Sequence, residues 1–330
     1  MERKLSRAFY NALDTMLFTN QGVTPTGDED NHMRALGPDS AIIGVFDGCG
    51  GLGSRTYADL GGQTGAYIAS RTASGAVYDW FQELKDKPDF PGKDELLGSL
   101  RAYLDKGFSI VSAYGTSTLR MRGSMVRDFP TTAAIALARE DKHGVLVHVI
   151  WAGDSRVYLI DSDGLAQLTE DDLSNEDAMS NLTHDGALTN VLSSDGNYTL
   201  HHKCIRVSKP TIIFAATDGV FGYVQSPMEF EWMLLRILGD ADAPELFTTR
   251  LKTILGEVAG DDFTFSMMSF YCGSFDVMRH AFENRARLLE QRYVKPLRAA
   301  RTEELMQELW QEYRLSYERY LHAEQEAEND

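Results

Sequence analysis

The chain has 330 residues, 43% hydrophobic and 25% charged, with a formal net charge of -17. This balance excludes a disordered or fibrous protein and suffices for one large core plus an appendage. The acidity and the lack of any long basic run argue against a nucleic-acid binder, which relies on Lys and Arg to displace counterions from phosphates.

In chain order, residues 1–18 (MERKLSRAFYNALDTMLF) read as an amphipathic helix or an ordered N-terminal arm. Asn11 and Asp14 interrupt the apolar run, and no small-residue cleavage site follows. Ala41 to Phe46 is an apolar, partly β-branched run that reads as a buried strand. Ser54 to Leu84 and Asp94 to Tyr114 carry helical character, the second through Leu96, Leu97, Leu100, Tyr103 and Leu104. Thr132 to Ala138, Val145 to Trp151 and Arg156 to Ile160 are strands whose short polar joints suit antiparallel hairpins. Residues 170–203 are polar and contain Gly and Asn, as expected of a mobile subdomain over a site. Thr211 to Ala216 is a third buried strand, and Pro227 to Leu238 a helix with proline in its first turn.

From about Asp276 two helices are expected, broken near Pro296. Val277, Phe282, Leu288, Leu289, Leu305, Leu309, Tyr313, Ser316 and Tyr320 fall near one face. That face either packs on the main domain or serves as a dimerisation or docking arm, and the pattern is too short to decide. The final HAEQEAEND is expected to fray. Strands in adjacent pairs between helices indicate an α+β fold of two packed antiparallel sheets with helices outside. No membrane span is visible.

The chemistry is carried by acids. Asp30 in GDEDN, Asp47 in GVFDGCGG, Asp154 in WAGDSRVYLI, Asp218 in FAATDGVFG and Asp261 in GDDFTF share a recurring context, and three of them closely follow the apolar strands. A single Asp-Gly is more often a turn. Five in ordered contexts point instead to carboxylates held together at strand ends, which are stable only around a cation, and oxygen-only ligation suits Mg²⁺ or Mn²⁺. The cysteines Cys49, Cys204 and Cys272 form no CxxC pair, so their spacing gives neither a disulfide framework nor a zinc site and fits the reduced cytoplasm. His32, His143, His184, His201 and His202 show no ligand spacing either and read as surface or satisfied core residues.

These motifs resemble, in order, those of the metal-dependent protein serine/threonine phosphatases of type 2C, specifically their bacterial branch. GDED and GVFDGCGG resemble the family's Asn-Glu-Asp and VFDGHGG elements, and PTTAAIAL its GSTA strand. VIWAGDSRVYLI resembles VGDSRAYL, and LTEDDLSNEDAM resembles LTKDHSLV. IIFAATDGVFGYV resembles LLCSDGLTD, and GDDFTFSMMSF resembles DNITVVVV. The likeness covers about residues 19–272. It implies a four-layer α-β-β-α sandwich over residues 19–274, with residues 170–203 as a flap and 275–330 as a helical extension.

It also implies roles. Asp47 would bridge two metals, Asp218 and Asp261 would complete the first, and Glu29 or Asp30 with the Gly48 carbonyl would hold the second. Bacterial members often carry Gln at the Glu29 position, where contact runs through water. Asp154 matches the ligand of a third, weaker ion, with a structural role beside Arg156 as the alternative. Two such cations share and activate a water that hydrolyses the phosphate monoester directly.

Two departures stand out. Cys49 replaces the family's His, the proposed acid for the leaving alkoxide, and metal proximity would push its thiol toward thiolate. No Arg lies between Asn20 and Asp30, where the family's phosphate anchor would align near Pro25; Arg34 and Arg55 are the nearest substitutes. Asp262 also stands where the family has Asn, for turn or outer-sphere duty. The expected partners are a phosphorylated protein and a cognate Ser/Thr kinase. A pseudophosphatase serving as a binding module, and a hydrolase of small phosphorylated molecules, are the alternatives these departures leave open.

Overall fold

A computed structural model describes residues 7–23, 28–87, 90–114, 128–141, 143–174 and 187–321. Helix α1 (Arg7–Ala12) leads straight into strand β1 (Leu13–Gln21), followed by β2 (Asn31–Leu36) and β3 (Ser40–Phe46). A small hairpin, β4 (Thr56–Tyr57) and β5 (Gln63–Thr64), precedes α2 (Gly65–Leu84) and α3 (Lys93–Tyr114). Next come β6 (Ala133–Asp141), β7 (Gly144–Ala152), β8 (Arg156–Asp161), β9 (Gly164–Gln167), β10 (His201–Val207) and β11 (Thr211–Ala216). Helices α4 (Asp218–Phe221), α5 (Pro227–Asp240) and α6 (Pro244–Val258) lead to β12 (Phe263–Phe270). The chain continues through α7 (Phe275–Ala281), α8 (Glu283–Leu289), a π turn (Glu290–Val294), α9 (Lys295–Ala299) and α10 (Glu303–Tyr317).

The strands form two five-stranded sheets, ordered β1-β12-β11-β8-β9 and β10-β7-β6-β3-β2. All pairings are antiparallel. Ile43, Val45, Val147 and Val149 of one sheet meet Val157, Leu159, Ile213 and Met268 of the other in a core between them. Alternate residues point outward: Ile42, Ile135 and Ile150 lie under α2 and α3, while Tyr158, Phe214 and Phe265 lie under α5, α6 and α10. Burial on both faces explains why β3, β8 and β11 read as unbroken apolar runs rather than alternating ones. The result is the expected four-layer α-β-β-α sandwich with helices beyond it. Among the described residues no helix is long and apolar enough to cross a membrane.

Several local expectations are corrected. The described part of the 1–18 arm, residues 7–18, is a short helix and then most of β1, which pairs along β12 and crosses the expected boundary. Strands β7 and β8 form no hairpin: β7 pairs with β6 and β10, whereas β8 pairs with β9 and β11, so the chain crosses between sheets at Gly153 to Ser155. The flap span ends too late, since residues 201–203 open β10; residues 175–186, including His184, lie outside the described residues, as does HAEQEAEND. The C-terminal break falls at residues 300–302, where Ala300 is extended and Thr302 caps α10 by accepting from the Leu305 N–H. Pro296 sits in the first turn of α9, where its missing N–H costs little, after the Lys295 N–H has reached back to the Glu290 carbonyl in the π turn.

The extension is spent on the molecule's own sheet. Trp310, Tyr313 and Tyr317 are buried, whereas Val277 and Leu288 of the expected stripe face solvent. The Tyr317 hydroxyl donates to Gln167 Oε1 at 2.8 Å, and Arg319 Nη2 donates to Asp161 Oδ1 at 3.0 Å.

Candidate active site

Antiparallel pairing alone brings the five aspartates to one end of the sandwich. Asp47 follows the last residue of β3, Phe46, which pairs with Asn31, next to Asp30. Asp218 follows β11, whose Ala216 pairs with Phe265 of β12, the strand that Asp261 precedes. Asp154 sits on the crossing out of β7, beside the start of β6. Each sheet thus alternates strand ends and strand starts along one edge. The acids line a cleft of about 480 Å³ with Glu29, Gly48 and Cys49.

The backbone around them is fixed. The Asp47 carbonyl accepts from the Thr132 N–H at 2.8 Å and from the Thr131 hydroxyl at 2.6 Å. The Asp-Gly pairs serve close approach rather than turns. A Cβ at Gly48 would come within 2.7 Å of the Ala66 and Glu29 carbonyls, and one at Gly219 within 2.0 Å of the Asp262 carbonyl. Gly153 is different: with φ +100 it makes the sheet-to-sheet crossing that presents Asp154.

The electrostatics are those of neighbouring acids that repel one another. Burial and then the charges of Asp30, Asp218, Asp154 and Asp261 hold the Asp47 carboxyl well above the usual range. Asp30 is 2% exposed and is likewise pushed up, by burial first and Asp218 next, although the Thr217 hydroxyl donates to it at 2.8 Å. Asp154 rises to about 8 through burial and the charge of Asp218. A set of oxygen donors that raise one another's pKa fits a hard divalent cation such as Mn²⁺ or Mg²⁺.

Other residues are sorted by their contacts. Arg156 does not partner Asp154; it is buried against Asp171, with Nε to Oδ1 at 2.9 Å, leaving Asp154 on the cleft. Glu29 accepts from the Thr64 hydroxyl, and its carboxylate packs against Gly50. Asp262 accepts the backbone N–H groups of Val23 at 2.6 Å and Glu29 at 2.8 Å, tying together the two sides of residues 24–27. Without metal, burial and the surrounding acids push the Cys49 thiol well above its ordinary value.

None of the described residues lining the cleft is basic. Arg34 lies over the Phe18 ring at 4.4 Å, and Arg55 over Tyr57 at 5.2 Å. The sequence reading missed Arg71, whose Nη2 donates to the Asp28 carbonyl at 2.8 Å and which stacks on Tyr67. Its position in α2 gave no signal, because the contact depends on how that helix packs on the Asp28–Asp30 turn. The histidine reading also changes. His32 stacks on Phe18, but His148, His202 and Cys204 meet on neighbouring strands, which spacing could not reveal.

Residues 28–256, more than half of the chain, match the family model of protein phosphatase 2C. The chain therefore belongs to the protein phosphatase 2C family, whose class is that of protein serine/threonine phosphatases. No curated protein sequence matches it. Among solved structures it is similar to the PPM Ser-Thr phosphatase MsPP from Mycobacterium smegmatis in complex with cacodylate, at 15% identity and TM-score 0.52 over 78% of this chain and 98% of that one. Stp1 from Staphylococcus aureus gives 16% identity and TM-score 0.54 over 78% and 96%. The catalytic domain of the phosphatase PstP in complex with two manganese ions gives 17% and 0.51 over 78% and 99%. At such identities these likenesses show the fold.

Proposed function

We propose that the chain hydrolyses phosphoserine and phosphothreonine in proteins, with Mn²⁺ or Mg²⁺ held by the acidic cluster. The observation that carries this reading is the convergence of Asp30, Asp47, Asp154, Asp218 and Asp261 at one cleft, where Asp30, Asp47 and Asp154 are raised chiefly by burial and by other acids. Asp47, Asp218 and Asp261 would hold one ion, Asp47, the Gly48 carbonyl and Asp30 the second, and Asp154 a third. Asp30 is favoured over Glu29 because its charge bears most on Asp47, whereas Glu29 is engaged by Thr64. When bound, such ions lower the pKa of a water toward neutrality and offset the charge of the phosphate oxygens.

The protein's own groups hold that arrangement. Thr131 and Thr132 pin the Asp47 backbone, Thr217 orients Asp30, and the glycines let the acidic segments approach. Cys49 stands where the family has His, and a thiol is the weaker general acid, so water is the better source of the leaving group's proton. The cleft has no basic side chain among its described lining residues, and this favours, as a second reading, a weakly active protein that binds a signalling partner such as a kinase.

Hydrolysis of an aryl phosphate and of a phosphothreonine peptide separates the two. Turnover that needs Mn²⁺ or Mg²⁺, stops with chelator and is lost in Asp218→Asn supports the enzyme. Folded protein that binds Mn²⁺ yet turns over neither substrate transfers the case to the binding role.

A further inference from the structure

Strand register builds a second cluster, of different chemistry, on the helix-covered face of the second sheet. Cys204 of edge strand β10 pairs directly with His148 of β7, and His202 lies two residues before Cys204 on the same face. All three are buried, at 8%, 5% and 7% exposure. His148 Nδ1 lies 3.1 Å from His202 Nε2 and 3.1 Å from Cys204 Sγ, and Cys204 Sγ lies 3.6 Å from His202 Nε2.

Three donor atoms in a closed triangle are more than hydrogen bonding needs. Neutral imidazoles carry one N–H each, so the triangle's edges cannot all be good hydrogen bonds at once. Zinc bonds of about 2.0–2.1 Å to nitrogen and about 2.3 Å to sulfur in a tetrahedron set such donors roughly 3.3–3.6 Å apart. The observed triangle lies within a few tenths of an ångström of that.

We propose that His148, His202 and Cys204 form a binding site for Zn²⁺, distinct from the carboxylate cluster, with the fourth position open to water. Two imidazole nitrogens and a thiolate are borderline-to-soft donors, which select Zn²⁺ over the Mg²⁺ or Mn²⁺ preferred by carboxylates. Binding would release the Cys204 thiol proton to solvent, so the ion enters as a thiolate complex. Arg139, which lies over the Phe90 ring that stacks on His148, and Lys93, whose charge acts on His202, both face the cluster. Exchanging the thiol proton for Zn²⁺ adds one positive charge, so these two cations oppose the ion, and the three donors must offset that repulsion. Bound metal would cross-link β10 to β7 at the sheet edge.

Cobalt titration provides the test, in a Cys49→Ser background so that no other cleft thiol contributes. One equivalent of Co²⁺ should give a thiolate-to-cobalt absorption band that Zn²⁺ displaces. The band should persist with Asp218→Asn added and vanish with Cys204→Ser. His148→Gln should weaken Zn²⁺ binding by more than about tenfold, the scale seen when even outer partners of metal ligands are lost. Circular dichroism identifies any variant that fails to fold; should Cys204→Ser do so, His148→Gln and His202→Gln report the same ligand loss. Absence of the band, or a band and zinc affinity unchanged in folded ligand variants, overturns the site. Phosphatase activity enters neither outcome.

Discussion

Two acidic regions, one beneath the helices on the first sheet and one at the end of both sheets, treat charge in opposite ways. Beneath the C-terminal layer, Glu231 is fully buried, yet it accepts from Arg285 Nε at 2.7 Å, Arg285 Nη2 at 2.8 Å and the Tyr313 hydroxyl at 2.6 Å. Asp171 is likewise closed by Arg156. At the sandwich end, the charges acting on Asp47 are those of other acids. Burying an ion is tolerated where the protein supplies its partner. A cluster of acids raising one another must instead hold protons or take a cation from outside, so the comparison separates charges closed by the protein's own partners from charges that face one another.

That contrast can be broken by mutation. Asp47→Asn should lower kcat/KM by at least about a hundredfold, more than the loss of an outer partner of a metal ligand. In chelator the same variant should melt above the native protein near neutral pH, because Asn is neutral without the cost of holding a proton on a buried carboxyl; a lower melting point would show that the site is compensated internally. Arg285→Ala should cost about 3–5 kcal/mol in urea unfolding, the usual penalty for stranding a buried charge. A negligible cost there would erase the distinction between the regions.

The pH dependence sharpens the comparison. In metal-free protein the raised carboxyls of Asp30, Asp47 and Asp154 keep protons that the unfolded chain releases near its ordinary value of about 3.9. The folded state binds more protons between roughly pH 4 and Asp154's value of about 8, so this contribution makes stability fall as pH rises through that window. Thermal melts in chelator should show the decline, and saturating Mn²⁺ should flatten or reverse it. The smallest effect is expected at the helical layer's edge: Tyr317→Phe removes a buried hydrogen bond to Gln167 and should cost about 1 kcal/mol with turnover unchanged.

Much of this was legible in the sequence. Apolar runs located β3, β7 and β11, and the acid following each marked the strand ends that line the cleft. The ordered motifs identified the family. Helix α6 and its buried Phe247, Leu251 and Leu255 went unread, because Thr248, Thr249 and Thr253 dilute the helical signal. The C-terminal stripe was placed partly on the wrong residues, since Trp310 and Tyr317 are chosen by the sheet surface beneath α10 rather than by period alone.

The sequence by itself determined that β3, β6, β7, β8 and β11 are strands, that acids follow several of them, and that the donors there are oxygens suited to a hard cation. These are local properties of side-chain type and period. Only the tertiary structure decided that the chain crosses sheets after β7, freeing Asp154 for the cleft while Arg156 closes on Asp171. It also decided that Arg71 reaches the Asp28 carbonyl, and that His148, far along the chain from Cys204, meets it on the neighbouring strand. Such pairings are fixed by strand register and helix packing between distant segments, which no local pattern encodes.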